Sequence, residues 1–174
     1  DDIRRFSLET LSKKYLVVAN IPYYLTGALF EKFLAAQNQP ARIVFLVQKE
    51  VAVRAARAKK ESILSLSIKA YGTPRYLFTV PRGAFRPAPK VDSAVLLIDD
   101  ISRKNFADED EENFFFKVLK AGFSHKRKFL AGNLKDFGER ELVQAAFAEG
   151  DTSQTARAED IELNKWIRLA RALS

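Results

Sequence analysis

Two unbroken apolar runs flank one stretch of helical periodicity, and no other feature of the sequence constrains the fold as tightly. Residues 15–19, Tyr-Leu-Val-Val-Ala, and residues 41–48, with Ile43, Val44, Phe45, Leu46 and Val47 in succession, have the length and branching of buried strands. Between them Leu25, Leu29, Phe33 and Ala36 recur at helical spacing, with Glu31, Lys32 and Gln37 on the opposite face. Gln37-Asn38-Gln39-Pro40 breaks the pattern. A strand, a helix and a second buried strand form a parallel βαβ unit, because a parallel return needs a crossover long enough to hold a helix. The expected class is α/β.

The remaining pattern extends this reading. Ser7 is expected to cap a short helix or turn over residues 7–14. Residues 49–60 and 61–71 read as helix running on to Gly72-Thr73-Pro74, and residues 75–80 and 91–99 read as strands. Residues 99–113 are polar and carry the acidic run Asp108-Glu109-Asp110-Glu111-Glu112, expected to be a junction and a helix N-terminus. Beyond it every apolar stripe is helical: Phe115, Val118, Leu119 and Gly122; Leu142, Val143, Ala146 and Phe147; Leu163, Trp166, Ile167 and Ala170. Such stripes are core, so Trp166 is assigned no ligand. The expected organisation is residues 1–101 as an α/β part and residues 102–174 as a small helical domain.

Composition excludes several chemistries. The chain has no cysteine and one histidine, His125, which leaves no thiolate or histidine metal centre and no Ser-His triad, so no metal is expected. Absence of cysteine fits a reducing, cytoplasmic compartment. No apolar run reaches the ~20 residues of a membrane span, and no secretory signal is expected. A net charge of +7 points to a polyanionic partner. The chain also lacks methionine and opens on Asp1, as expected of a fragment.

Asn20-Ile21-Pro22-Tyr23 follows the first strand, where open α/β sheets bind ligands. Pro22 offers no N–H and stiffens the residue before it, so carbonyls there can face a crevice. An exocyclic amine of a nucleobase is a poor nucleophile, its lone pair delocalised into the ring. Two acceptors holding its hydrogens draw the nitrogen towards tetrahedral geometry. The Asn20 side-chain oxygen and a backbone carbonyl next to Pro22 suit that task, and Tyr23 can stack on a base taken out of its helix. The alternative is an ordinary turn.

A second stretch, residues 81–90, places Arg82, Arg86 and Lys90 around Phe85 among three prolines. A rigid loop presenting one ring between cations is a stacking platform in a phosphate-binding groove; the alternative is a core plug with solvated charges. Lys126, Arg127 and Lys128 form the densest basic cluster. Followed by Phe129 and Leu130, they are expected on a helix with one face buried, as phosphate contacts or as a solvated face.

Four segments in this order resemble one family: Asn20-Ile21-Pro22-Tyr23; Phe85-Arg86-Pro87-Ala88-Pro89-Lys90-Val91-Asp92-Ser93; Phe123-Ser124-His125-Lys126-Arg127-Lys128; and Arg157-Ala158-Glu159-Asp160-Ile161. They are similar to the ribosomal RNA small-subunit adenine N6,N6-dimethyltransferases over essentially the whole chain. The resemblance implies a Rossmann-like S-adenosylmethionine-dependent methyltransferase domain, incomplete here, followed by an all-helical domain that docks on RNA or the ribosomal particle. It implies that Asn20 touches both cofactor and target amine, that Tyr23 and Phe85 sandwich adenine, and that Asp2, beside Asp1, reaches the cofactor adenine. It further implies ribosomal RNA and the small-subunit precursor as partners, with the enzyme a monomer.

One departure from the family pattern stands out. The family's glycine-rich cofactor loop has no counterpart: no Gly-x-Gly occurs, and the first glycine, Gly27, follows the tetrad. The chain therefore reads as the carboxyl-terminal portion of such an enzyme, expected to bind cofactor poorly by itself and to leave its first strands short of partners. Two alternatives stay open: a non-catalytic RNA-binding or ribosome-assembly protein, and a large-subunit ribosomal RNA adenine methylase.

Overall fold

The computed structural model describes residues 2–3 and 5–174. Their contacts group into two compact units: residues up to Ala58 together with Tyr71–Ser102, and Lys59–Ala70 together with Arg103–Ser174.

The first unit is built on a four-stranded sheet. Strand β1 (Leu16–Asn20) leads through a single 3-10 turn (Tyr23–Leu25) into helix α1 (Thr26–Leu34), and β2 (Arg42–Gln48) returns parallel to β1, as the βαβ pattern requires. Helix α2 (Lys49–Ala56) follows, and the sheet is completed by β3 (Thr73–Val80) and β4 (Ser93–Asp99) in the order β1-β2-β4-β3. Strand β4 runs antiparallel to both neighbours, with a bulge in β3 between Tyr76 and Phe78.

Ile43, Phe45, Val47, Ala94, Leu96 and Ile98 alternate along β2 and β4 onto one face and are fully buried. The Phe30 ring of α1 packs on Phe45 at 5.2 Å, and Phe33 at 6.0 Å. The opposite face is open at its β1 edge: Leu16 is 64% and Val18 75% exposed, and β1 has β2 as its one partner among the described residues. Ser7 stands at the expected cap position but makes no side-chain capping bond; instead Thr10 Oγ1 donates to the Ser7 carbonyl.

The expected continuous helix over residues 49–71 is two helices in different units. Helix α2 stops at Ala56, and α3 (Ile63–Tyr71) starts afresh at Ser62. There the Ser65 N–H donates to Ser62 Oγ and the Ser62 N–H to Ser65 Oγ, a reciprocal cap that satisfies amides a continuous helix would have used internally.

In the second unit α4 (Glu109–Gly122) begins with Asp108 Oδ1 accepting from the Glu111 N–H at 2.9 Å. The acidic run thus lies along the positive end of that helix. Helices α5 (Leu130–Asn133), α6 (Arg140–Glu149) and α7 (Leu163–Ala172) complete the unit around Trp166, Phe115, Phe147 and Leu119. No helix among the described residues is long and apolar enough to cross a membrane.

Candidate active site

The carboxyl end of β1 and the loop before β4 meet at one open cavity of about 320 Å³, lined by Asn20, Ile21, Pro22, Tyr23, Phe85, Pro87, Pro89 and Ser93. All five residues expected to carry the chemistry line it, although Phe85 lies far along the chain from the tetrad. Such a volume is at the small end of the range for ligand sites.

Each wall has a local cause. Asn20 is the last residue of β1; its exposed amide has no hydrogen-bond partner among the described residues, leaving oxygen and nitrogen to a ligand. Pro22 is extended (φ −58°, ψ 133°), and its carbonyl accepts the Leu25 N–H at 2.9 Å as the 3-10 turn begins. That bond decides which carbonyl next to Pro22 is available. The Pro22 oxygen is engaged by the turn, whereas the carbonyl of Ile21 has no partner among the described residues. The Ile21 side chain is buried and anchors the segment.

Tyr23 is half-buried. Its carbonyl accepts from Thr26 Oγ1 at 2.8 Å, and its phenol is 2.9 Å from Ser93 Oγ. Phe85 is half-buried on the facing loop, its N–H donating to the Arg82 carbonyl after a 3-10 turn over Arg82–Ala84, and the Arg86–Pro87 peptide is cis. Two rings from separate segments therefore bound one cavity, with an amide and a free carbonyl beside them. This arrangement can hold a planar base and accept both hydrogens of an amino group.

The remaining expected residues lie outside the lining. Arg82, Arg86 and Lys90 are exposed on the loop that carries Phe85; Arg82 also closes the loop on itself, its backbone N–H donating to Asp92 Oδ1. Asp2 is half-buried and its carbonyl accepts the Arg5 N–H; Asp1 lies outside the described residues.

Lys126, Arg127 and Lys128 belong to the second unit and are all exposed, but the expected helix is absent there. Helix α4 ends at Gly122, where Asn133 Nδ2 donates to the Gly122 carbonyl, and the cations ride on turns beyond it, with Phe129 52% exposed rather than buried. No cluster of metal-ligating side chains exists among the described residues. Sequence reasoning did not single out Ser93, which also lines the cavity. The available signal was a small polar residue, Ser93, at the head of a strand otherwise wholly apolar up to Asp99.

A family model described as ribosomal RNA adenine dimethylase matches residues 2–174. The chain belongs to the ribosomal RNA adenine dimethylase family. Among relatives in this family, ribosomal RNA small subunit methyltransferase A of Fusobacterium nucleatum is 36% identical over 173 residues, which is 98% of this chain and 64% of the relative. Its namesake from Synechococcus sp. is 40% identical over 165 residues, 91% of this chain and 58% of the relative. The chain thus spans less than two thirds of the length of these dimethylase-family relatives.

A dimethyladenosine transferase from Plasmodium falciparum superposes with a TM-score of 0.80 at 21% identity, over 97% of this chain and 69% of that one. The 23S rRNA methyltransferase ErmE gives 0.77 at 20% identity, over 99% and 69%. These likenesses establish the Rossmann-like methyltransferase fold for this member of the dimethylase family.

Proposed function

We propose that this chain is the target-binding portion of an S-adenosylmethionine-dependent enzyme that methylates N6 of adenines in small-subunit ribosomal RNA, two methyls on each of two adjacent adenines, during ribosome maturation. The observation that carries it is the single cavity uniting the Asn20 amide, the Ile21 carbonyl and the Tyr23 and Phe85 rings. A flipped adenine lies between the rings, while Asn20 Oδ1 and the Ile21 oxygen accept the two N6 hydrogens. Holding the amine in this way orients its lone pair and stabilises the positive charge that develops on nitrogen, so rate comes from positioning and electrostatics rather than from a titrating base. S-adenosylmethionine, when bound, supplies an electrophilic methyl group.

The residues present fit part of that cofactor's needs. Asn20 offers a free amide at the strand end, and Asp2 is assigned to the cofactor adenine. The backbone cradle for its methionine and ribose parts has no counterpart, since no Gly-x-Gly exists in the sequence. The second reading is an RNA-binding protein without chemistry, using the same basic surface.

Residues 1–101 are assigned the base-binding role and residues 102–174 the docking of RNA, in a cytoplasmic monomer. Arg82, Arg86 and Lys90 beside the slot, and Lys126, Arg127 and Lys128 on the second unit, are assigned to phosphates. Calorimetric titration of cofactor into this chain, and into a chimera preceded by the amino-terminal third of the Fusobacterium nucleatum relative, separates the two readings. Binding and methyl transfer by the chimera support the enzyme; binding by neither supports the second reading. In the chimera Asn20→Ala should lower transfer by about 10²–10³-fold with RNA affinity unchanged. A near-wild-type rate removes Asn20 from the chemistry. Neutralising Lys126, Arg127 and Lys128 together should reduce the salt slope of RNA binding by about 2; an unchanged slope takes them out of the interface.

A further inference from the structure

Two residues that the slot's chemistry does not use, Asp92 and Ser93, occupy the junction between the loop carrying Phe85 and strand β4. Ser93 is 1% exposed and is fixed in the sheet, in register with Gln48 of β2 on one side and Val80 of β3 on the other. A buried hydroxyl needs a hydrogen-bond partner. That partner is the Tyr23 phenol at 2.9 Å, and it is the one partner of Ser93 Oγ among the described residues. Tyr23 sits on a single 3-10 turn, where no helix fixes the ring; its side chain has this one polar tether among the described residues.

Asp92, the residue just before β4, is tied to different partners. Its Oδ1 accepts the Arg82 N–H at 3.1 Å, and Oδ2 lies 3.8 Å from Lys49 Nζ. Its carbonyl accepts the Lys49 N–H at 3.0 Å, joining the loop base to the start of α2. The Arg82 carbonyl in turn receives the Phe85 N–H at 3.3 Å, so the turn bearing Phe85 is anchored through Asp92.

We propose that Asp92 and Ser93 are positioning residues that set the separation of the two rings, Ser93 by holding Tyr23 and Asp92 by holding the turn that bears Phe85. The inference rests on the base-slot reading above. Because both tethers issue from consecutive residues at the start of β4, the two walls are fixed to a common reference rather than to each other. The slot can then stay open with no base inside. In this role the Tyr23 hydroxyl is an anchor and takes no part in proton transfer.

The test uses the full chain and a single-stranded RNA oligonucleotide with one 2-aminopurine among uridines, whose fluorescence falls when the base stacks between rings. Ser93→Ala and Tyr23→Phe should each weaken the stacked fraction's equilibrium constant roughly three- to tenfold. The double variant should be no worse than either single one, because both remove the same bond. Asp92→Ala should weaken stacking by a similar factor, and Asp92→Asn, which keeps an oxygen for the Arg82 N–H, should lose less. Urea midpoints measured alongside identify any variant that fails to fold, and Tyr23→Phe, on the exposed side of the bond, leaves the strand intact.

A purely structural role for Ser93 predicts a lowered midpoint with additive effects on stacking, and that result overturns the inference. Quenching that survives both Ser93→Ala and Tyr23→Phe overturns it as well while leaving the slot standing. Absence of quenching by the wild-type chain removes the slot itself, and this inference with it.

Discussion

Each unit brings two aromatic rings from separate segments to one place, and it surrounds them differently. In the second unit Phe123 and Trp166 stack at 5.7 Å and 19°, with Trp166 fully buried and Phe123 7% exposed. The chain closes tightly over them: a Cβ on Gly122 would meet Leu130 Cδ1 at 2.7 Å and collide with the indole. In the first unit Tyr23 and Phe85 stay half-buried on the walls of an open cavity. One pair is completed by its own protein and contributes to stability. The other, in the proposed base slot, lines an open cavity, and the proposal above has hydrogen bonds rather than packing set its separation.

The sharpest way to break this contrast is at Trp166. Trp166→Ala should destabilise the chain by about 3–5 kcal/mol, as a large buried ring is replaced by a cavity. Trp166→Phe should cost clearly less: the indole N–H is buried without a hydrogen-bond partner among the described residues, so its loss relieves an unsatisfied donor. Urea denaturation measures both, and the Phe variant should stack 2-aminopurine like the wild type. Equal costs for the two substitutions would mean that the indole N–H is not the strained group the geometry indicates.

That contrast was only partly legible in the sequence. The βαβ unit was legible because unbroken runs such as Ile43 to Val47 admit few other structures. Trp166 was legible as core because it lies on a helical stripe. The tetrad and Phe85 were legible through residue type and order, and the fold brings them to one cavity. The break at Ser62 was not, because Ser65 repeats the capping pattern with a residue that also occurs inside helices. The helix expected at Lys126 to Lys128 failed because Asn133, a residue downstream, binds the end of α4. The choice between the Ile21 and Pro22 carbonyls was equally closed to sequence, since it depends on where the Leu25 N–H points.

Next in size is Phe85. Phe85→Ala should weaken base stacking by about 1–3 kcal/mol, or roughly 5- to 150-fold in affinity for the 2-aminopurine oligonucleotide. The urea midpoint should stay near the wild-type value, because the ring lines an open cavity rather than a sealed core. Phe85→Tyr keeps the ring face and should retain most of the stacking. If Phe85→Ala instead lowered the midpoint as Trp166→Ala does, the loop ring would be core after all, and the difference between the two pairs would vanish.

The smallest effect concerns pH, and it also separates the units. Glu111 near the start of α4 accepts the Ala107 N–H and pairs with Arg171 of α7, and these two partners hold its carboxyl below the ordinary carboxylate range. A carboxylate with a depressed folded-state pKa adds stability that is fully present above its unfolded pKa. That stability is lost as pH falls through the folded value. The contribution should therefore be complete at neutral pH and fade below about pH 4.5. Its size is a few tenths to about 1 kcal/mol, as expected for a partly exposed pair. Glu111→Gln should flatten the acid limb of a plot of urea midpoint against pH by that amount and leave 2-aminopurine stacking at neutral pH unaltered. An unchanged acid limb would assign the acid sensitivity to other carboxylates, of which Asp99, hydrogen-bonded to Arg42 at 2.8 Å in the first unit, is the next to replace.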